Sequence, residues 1–314
     1  MTLAFVFPGQ GAQAVGMGRE LAETYPAAKA VFEEVDEALG ESLSSLIWEG
    51  DGARLTLTEN AQPALMTVSM AAVAAMASEG LSVGQTACVA GHSLGEYSAL
   101  CAAGALTLPD AARLLRLRGQ AMQAAVPEGE GAMAAVLGLS FNEVEAIAAE
   151  AAEGSCVTAA NDNDPAQVVI SGAAPAVERA MALAKERGAK RSVRLPVSAP
   201  FHCPLMAPAA ERMEAALASI EIRDPDVPLV ANVTARGVRS GEEIRRLLIA
   251  QITGVVRWRE SVSWMVESGV RTFLELGSGK ALSGMIRRIA PEAEGRPINT
   301  PRDVRAWVGE MQSA

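Results

Sequence analysis

Thr86-Ala87-Cys88-Val89-Ala90-Gly91-His92-Ser93-Leu94-Gly95-Glu96-Tyr97-Ser98-Ala99-Leu100 is the stretch whose reading decides the fold. Thr86 to Ala90 is a short apolar run of strand character, and Leu94 to Ala103 is helical. Between them stands Gly91-His92-Ser93-Leu94-Gly95, a match to G-x-S-x-G. A strand that turns directly into a helix strains the central residue. Small flanking residues leave its hydroxyl exposed at the C-terminal edge of a sheet. The helix N-terminus offers free N–H groups and the positive end of a dipole to a developing oxyanion. A serine that merely caps a helix would look the same without this context. In context, Ser93 is expected to be a nucleophile on an α/β sheet.

Further strands are expected at Leu3–Phe7, ended by Pro8-Gly9, at Pro228–Asn232 and at Thr272–Leu276. Helical patterns lie between them, at Gly16–Leu39 with a break at Pro26, Ala61–Glu79, Pro109–Ala125, Met206–Ser219, Glu242–Gln251, Ser261–Ser268 and Ala281–Ile289. Buried strands followed by helices predict a parallel sheet covered on both faces. The middle reads differently. Strands at Ala132–Leu137, Cys156–Asn161, Gln167–Ser171 and Lys190–Leu195 enclose helices at Ser140–Ala152 and Pro175–Arg187, with Asp162-Asn163-Asp164-Pro165 as a turn. That β-α-β-β-α-β order is ferredoxin-like. The expected fold is therefore α/β. A discontinuous parallel-sheet domain of α/β-hydrolase type, residues 1–127 and 198–314, carries an inserted ferredoxin-like domain at 128–197.

Composition narrows the function. The chain has 314 residues, half of them hydrophobic but only 4% aromatic, so Ala, Val, Leu and Met must fill the core. Its net charge of −10 argues against broad nucleic-acid binding and against docking on an anionic membrane. Cys88, Cys101, Cys156 and Cys203 are too scattered for a zinc or redox motif. The N-terminus lacks the basic start and cleavage site of a signal peptide. The uncharged run Ala61–Ser78 contains Gln62, Pro63 and three hydroxyls and suits a buried helix better than a membrane span. A cytoplasmic protein is expected, acting as a monomer, with no cofactor and no metal.

A serine nucleophile needs a base, and this chain has two histidines. His92 adjoins Ser93 on a tight turn, so their side chains diverge. That leaves His202, between Pro200 and Pro204 where the chain leaves the insert. No acid in a telling motif identifies what orients it. Pro8-Gly9-Gln10-Gly11-Ala12-Gln13-Ala14 resembles a dinucleotide fingerprint, but the helical pattern continuing to Leu39 leaves no room for the required second strand. The alternative is that this loop flanks the elbow and the backbone N–H of Gln10 serves an oxyanion. Gly277-Ser278-Gly279-Lys280 lacks P-loop spacing and reads as a tight turn. Arg113, Arg116 and Arg118 share one helix. Such residues are usually solvated, yet a buried arginine near Ser93 could hold a substrate carboxylate with two hydrogen bonds. Lys185, Arg187, Lys190, Arg191 and Arg194 form a basic cluster, either a solvated face or a landing site for an acidic partner.

Taken together, these residues resemble the malonyl-CoA:acyl-carrier-protein transacylases. The resemblance runs along nearly the whole chain: Phe5 to Gly11, Gly91 to Leu100, Arg118-Gly119, Val169 to Gly172, Pro196-Val197-Ser198 to His202, and Gln251 to Trp258. It implies an acyl-serine on Ser93, His202 as base, and an oxyanion hole from the N–H groups of Gln10 and Leu94. Arg118 would pair with the malonyl carboxylate, and the backbone carbonyl of Gln251 would orient His202. Malonyl-CoA and acyl carrier protein would be the partners. Phe201 would crowd an alpha-methyl group and favour malonyl, an effect of about 1–3 kcal/mol. A stand-alone polyketide acyltransferase, a serine thioesterase, and a non-catalytic carrier-binding protein are the other readings.

Overall fold

A computed structural model describes residues 2–313. Among the described residues, ten strands form two sheets: β1 Leu3–Phe7, β2 Cys88–Gly91, β3 Gly131–Leu137, β4 Val157–Asp164, β5 Gln167–Ala173, β6 Arg191–Arg194, β7 Leu229–Ala231, β8 Arg236–Val238, β9 Thr272–Leu276 and β10 Glu294–Ile298. The larger sheet runs β10-β9-β1-β2-β7-β8 and is parallel except for β8. Phe5 stands opposite Val89 on one side and Leu274 on the other. Alternation along β1 feeds two cores. Leu3, Phe5 and Phe7 enter the larger one, while Ala4 and Val6 meet Trp258, Phe273 and Ile286 on the opposite face. This is an α/β-hydrolase-like body.

The second sheet, β4-β5-β3-β6, is wholly antiparallel, the ferredoxin-like order. One face, with Ala134, Val136 and Ile170, packs on the helices Phe141–Ala152 and Ala174–Glu186. The first of those helices begins with a capping box between Ser140 and Glu143. The other face sends Met133, Ala135 and Val169 into the core of the larger body.

The helix Thr58–Ser78 is the one helix among the described residues long and apolar enough to cross a membrane, and 72% of that stretch is buried inside the fold. Pro63 lies within it. Proline has no N–H, so the Glu59 carbonyl loses its helical partner and accepts from Arg116 Nη1 at 2.8 Å instead. Across from it, on the helix Leu108–Ala124, a Cβ on Gly119 would come within 2.5 Å of Glu59 Cα. Only glycine permits that approach, which brings Arg118 against Gln62.

One sequence expectation changes, and several elements are not anticipated. Asp162-Asn163-Asp164 is the end of β4 and not a turn; the turn is Pro165-Ala166. The ladder to β5 continues through two bulges, and both carboxylates find arginines from the larger body, which overrides local turn propensity. The edge strands β8 and β10 carry no apolar signature. Glu294-Gly295-Arg296-Pro297-Ile298 is a strand because β9 supplies the ladder, and proline is tolerated at an edge. The helices Leu43–Glu49, Gly52–Thr56 and Pro301–Ser313 also lie outside the sequence expectations.

Candidate active site

β2 delivers the chain to the elbow and the helix Gly95–Ala102 leaves it. Ser93 sits at φ 53°, a left-handed conformation that costs a non-glycine residue of order 1–3 kcal/mol. A Cβ on Gly91 would lie 1.9 Å from Gly95 carbonyl carbon, so the elbow closes only with glycine at that position. Asn232, just past β7, holds the turn from below. Its Oδ1 accepts from Ser93 N–H at 2.8 Å, and its Nδ2 donates to the Gly91 carbonyl at 2.7 Å.

The chain from β6 reaches His202 through Ser198-Ala199-Pro200. His202 is also left-handed, at φ 58°, and only 3% exposed. Its Nδ1 donates to the Gln251 carbonyl at 2.9 Å, so the lone pair is on Nε2, which receives the Ser93 hydroxyl at 2.8 Å. Burial first, and the Arg118 charge second, lower the His202 pKa to about 3. A neutral imidazole facing a hydroxyl can take its proton.

Arg118 is 1% exposed. Nη1 donates to Gln62 Oε1 at 2.8 Å; Nη2 donates to Gln251 Oε1 at 2.9 Å and to Ser93 Oγ at 3.2 Å. Its guanidinium lies 5.7 Å from the Tyr97 ring centroid. Two amide oxygens and a hydroxyl thus hold the cation, and none of these partners is a carboxylate.

His92 turns away from Ser93. Its Nε2 lies 2.8 Å from Asn163 Oδ1 on β4, and its ring stands edge-on to Trp258. The Pro8–Gln13 loop lies on the other side of the elbow: a Cβ on Gly9 would meet the His92 carbonyl at 2.8 Å. Gln10 Nε2 donates to Thr58 Oγ1 at 3.4 Å, and Ser278 Oγ braces the same loop through the Ala12 carbonyl at 2.6 Å. The Gly277-Ser278-Gly279 turn is therefore a support for this loop.

A cavity of about 470 Å³ opens over Ser93 between the two sheets. Gln10, Leu94, Arg118, Phe201 and His202 line it with Ser93. Gln251 stands behind it, at the end of the helix Gly241–Gln251 and fully buried. The seven residues to which the resemblance assigns roles therefore gather at one place. In the basic cluster, by contrast, Arg187 pairs with Glu150 and Arg194 with Glu178 at the surface.

Residues 4–298 match the acyl transferase domain family. A malonyl CoA-acyl carrier protein transacylase of Bacillus subtilis (strain 168) is 48% identical over 311 residues, covering 99% of this chain and 97% of its own. The chain belongs to the malonyl CoA-acyl carrier protein transacylase family. The crystal structure of an acyl-carrier-protein S-malonyltransferase from Bartonella henselae superposes with a TM-score of 0.96 at 52% identity, covering 99% of this chain and all of that one. A malonyl-transacylase in complex with a type II PKS acyl-carrier protein gives 0.96 at 40% identity, covering 99% and 100%.

Three residues of this transacylase site escape the sequence reading. Gln62, Asn232 and Glu96 are buried polar groups that complete the network. Gln62 carries a signal after the fact, an amide at the start of the uncharged run Ala61–Ser78. Glu96 directly follows the elbow motif, where an acid in the first turn of a helix reads as a favourable surface charge.

Proposed function

We propose that this chain moves malonyl groups from malonyl-CoA to the phosphopantetheine thiol of an acyl carrier protein, through a malonyl ester on Ser93, in fatty-acid synthesis. The observation that carries this reading is Arg118. It is a buried guanidinium 3.2 Å from the nucleophile, beside the base, with its fork held by amides rather than by an acid. A malonyl carboxylate is the acyl substituent that such a cation would select over acetyl.

In the first half-reaction Ser93 Oγ bonds to the thioester carbon as His202 Nε2 takes its proton. Charge on the carbonyl oxygen meets the backbone N–H groups of Gln10 and Leu94. The carbon–sulfur bond then breaks, and the proton passes from His202 to the departing CoA sulfur. In the second half-reaction the carrier thiol gives its proton to His202 and attacks the ester. Ser93 then leaves and recovers that proton. The residues themselves supply the base, the oxyanion donors and the carboxylate clamp, so the scheme needs neither metal nor cofactor. Phe201 on the cavity wall would disfavour an alpha-methyl. A monomer in the cytoplasm would suffice, because every residue invoked comes from one chain.

Intact-mass analysis tests the scheme. Malonyl-CoA should add one malonyl group to the protein, Ser93→Ala should carry none, and adding carrier protein should discharge the ester onto the carrier. Full malonylation of Ser93→Ala would overturn the assignment. Rapid loss of the ester to water without carrier would make the chain a thioesterase. A polyketide carrier remains the second reading, favoured by the similarity to the transacylase complexed with a type II PKS carrier. Comparing discharge onto fatty-acid and polyketide carriers separates the two.

A further inference from the structure

Glu96 is a buried acid that the proposed mechanism does not use. It lies on the helix after the elbow and is 1% exposed. A single oxygen, Oε2, accepts from Gln251 Nε2 at 2.7 Å and from Asn232 N–H at 3.2 Å. Both partners are already part of the site. Asn232 holds the Ser93 N–H, and Gln251 touches three working groups through three different atoms. Its backbone carbonyl receives His202 Nδ1, its Oε1 receives Arg118 Nη2, and its Nε2 reaches Glu96 and the Ser93 carbonyl.

The division between backbone and side chain of Gln251 matters. The backbone carbonyl that orients His202 is fixed by the end of the helix Gly241–Gln251. The side-chain amide that steadies Arg118 has no such support and depends on what Nε2 meets. Arg118 has only donors, so the oxygen end of that amide must face it. Of the contacts on the nitrogen end, Glu96 at 2.7 Å is the shortest; the Ser93 carbonyl stands at 2.9 Å and Asn232 Oδ1 at 3.2 Å.

We infer that Glu96 is a positioning residue for Arg118. By anchoring the Gln251 side chain, it aims the guanidinium at the acyl pocket without itself occupying the fork. A direct bidentate Glu–Arg pair would occupy two donors at once, whereas the interposed amide takes one bond from Nη2 and leaves Nε without a partner. Glu96 thereby serves recognition of the carboxylate, while the base, held by the Gln251 backbone, is largely independent of it. Burial raises the Glu96 pKa to about 7 despite these hydrogen bonds, so the acceptor is kept at an electrostatic penalty.

This inference rests on the malonyl-transfer reading, and its test keeps the two apart. The full chain and its Glu96→Met and Glu96→Gln variants are loaded with malonyl-CoA and with acetyl-CoA, and ester formation is followed by rapid quench and intact mass. Glu96→Met matches the side chain in length but accepts no hydrogen bond of comparable strength. It should raise the malonyl-CoA concentration for half-maximal loading about tenfold and shrink the malonyl-over-acetyl preference by a similar factor. The carboxamide oxygen of Glu96→Gln can accept both bonds and should restore that preference. Equal losses for malonyl and acetyl in Glu96→Met, an unchanged preference, or a Glu96→Gln variant as impaired as Glu96→Met would each overturn the inference. Failure of the unmodified chain to form any malonyl ester would instead sink the underlying function.

Discussion

Two regions bury charge in opposite ways. At the seam where β4 meets the larger body, Asp162 and Asp164 are each 1% exposed and paired directly, with Arg259 at 2.8 Å and Arg288 at 2.8 Å. Backbone hydrogen bonds from Asp162 N–H to Val256 and from Val256 N–H to Ala160, each 2.9 Å, run beside them. In the cavity, Arg118 is just as buried but meets amides. A carboxylate paired with an arginine has its charge balanced and can do no more than hold two elements together. A cation whose hydrogen-bond partners are neutral oxygens has no carboxylate in its fork, even with Glu96 close enough to feel its charge, and can still take an anion that arrives later. The seam shows how the fold secures the small sheet that walls the cavity; the cavity shows what it keeps free.

The largest expected effect breaks the cavity side of this contrast. Arg118→Ala should lower malonyl loading about a hundredfold relative to acetyl loading, the scale of a lost buried charge-assisted contact. Equal losses with both thioesters would mean that the arginine supports the site without reading a carboxylate. At the seam the loss should appear in stability instead. Arg259→Ala leaves the Asp162 carboxylate buried and alone. After discounting for the 35% exposure of the arginine, about 2 kcal/mol of unfolding free energy should be lost in urea titration, with the malonyl preference retained. A changed preference with unchanged stability would reverse the roles of the two regions.

The smallest effect concerns pH. The His202 pKa is lowered to about 3, so its contribution to stability is complete above the ordinary value of 6.5 and is lost as pH falls from there toward 3. Glu96 is raised to about 7, so its contribution is complete below its ordinary 4.5 and is lost as pH rises through 7. The two slopes oppose one another. Glu96→Gln removes the second, so the variant should gain stability relative to the unmodified chain between pH 5 and pH 8. Urea midpoints that stay equally separated at both values would show that Glu96 does not titrate in this range.

Much of this site is legible in the sequence because its parts carry local signatures. Gly91-His92-Ser93-Leu94-Gly95 between a strand and a helix announces the elbow, and with two histidines in the chain the divergence of His92 leaves His202. The turn expected at Asp162-Asn163-Asp164 fails for the opposite reason. Local composition there favours a turn, and only arginines nearly a hundred residues or more away in sequence make it a strand. Arg118 sits between these cases. Its position in the chain offers no sign of burial, and the resemblance to a family, rather than any periodicity, supplied its role.

The sequence by itself determined the alternation of strands and helices and the β-α-β-β-α-β order of the middle, and it singled out Ser93 and His202 as the candidate nucleophile and base. Hydrophobic period and turn residues act over a few positions and leave a local record. Only the tertiary structure decided that the Gln251 side chain and Glu96 join His202, the elbow and Arg118 in one network. Hydrogen-bond satisfaction in a buried space depends on which groups meet across sequence separations of up to 158 residues, and no short-range pattern records that meeting.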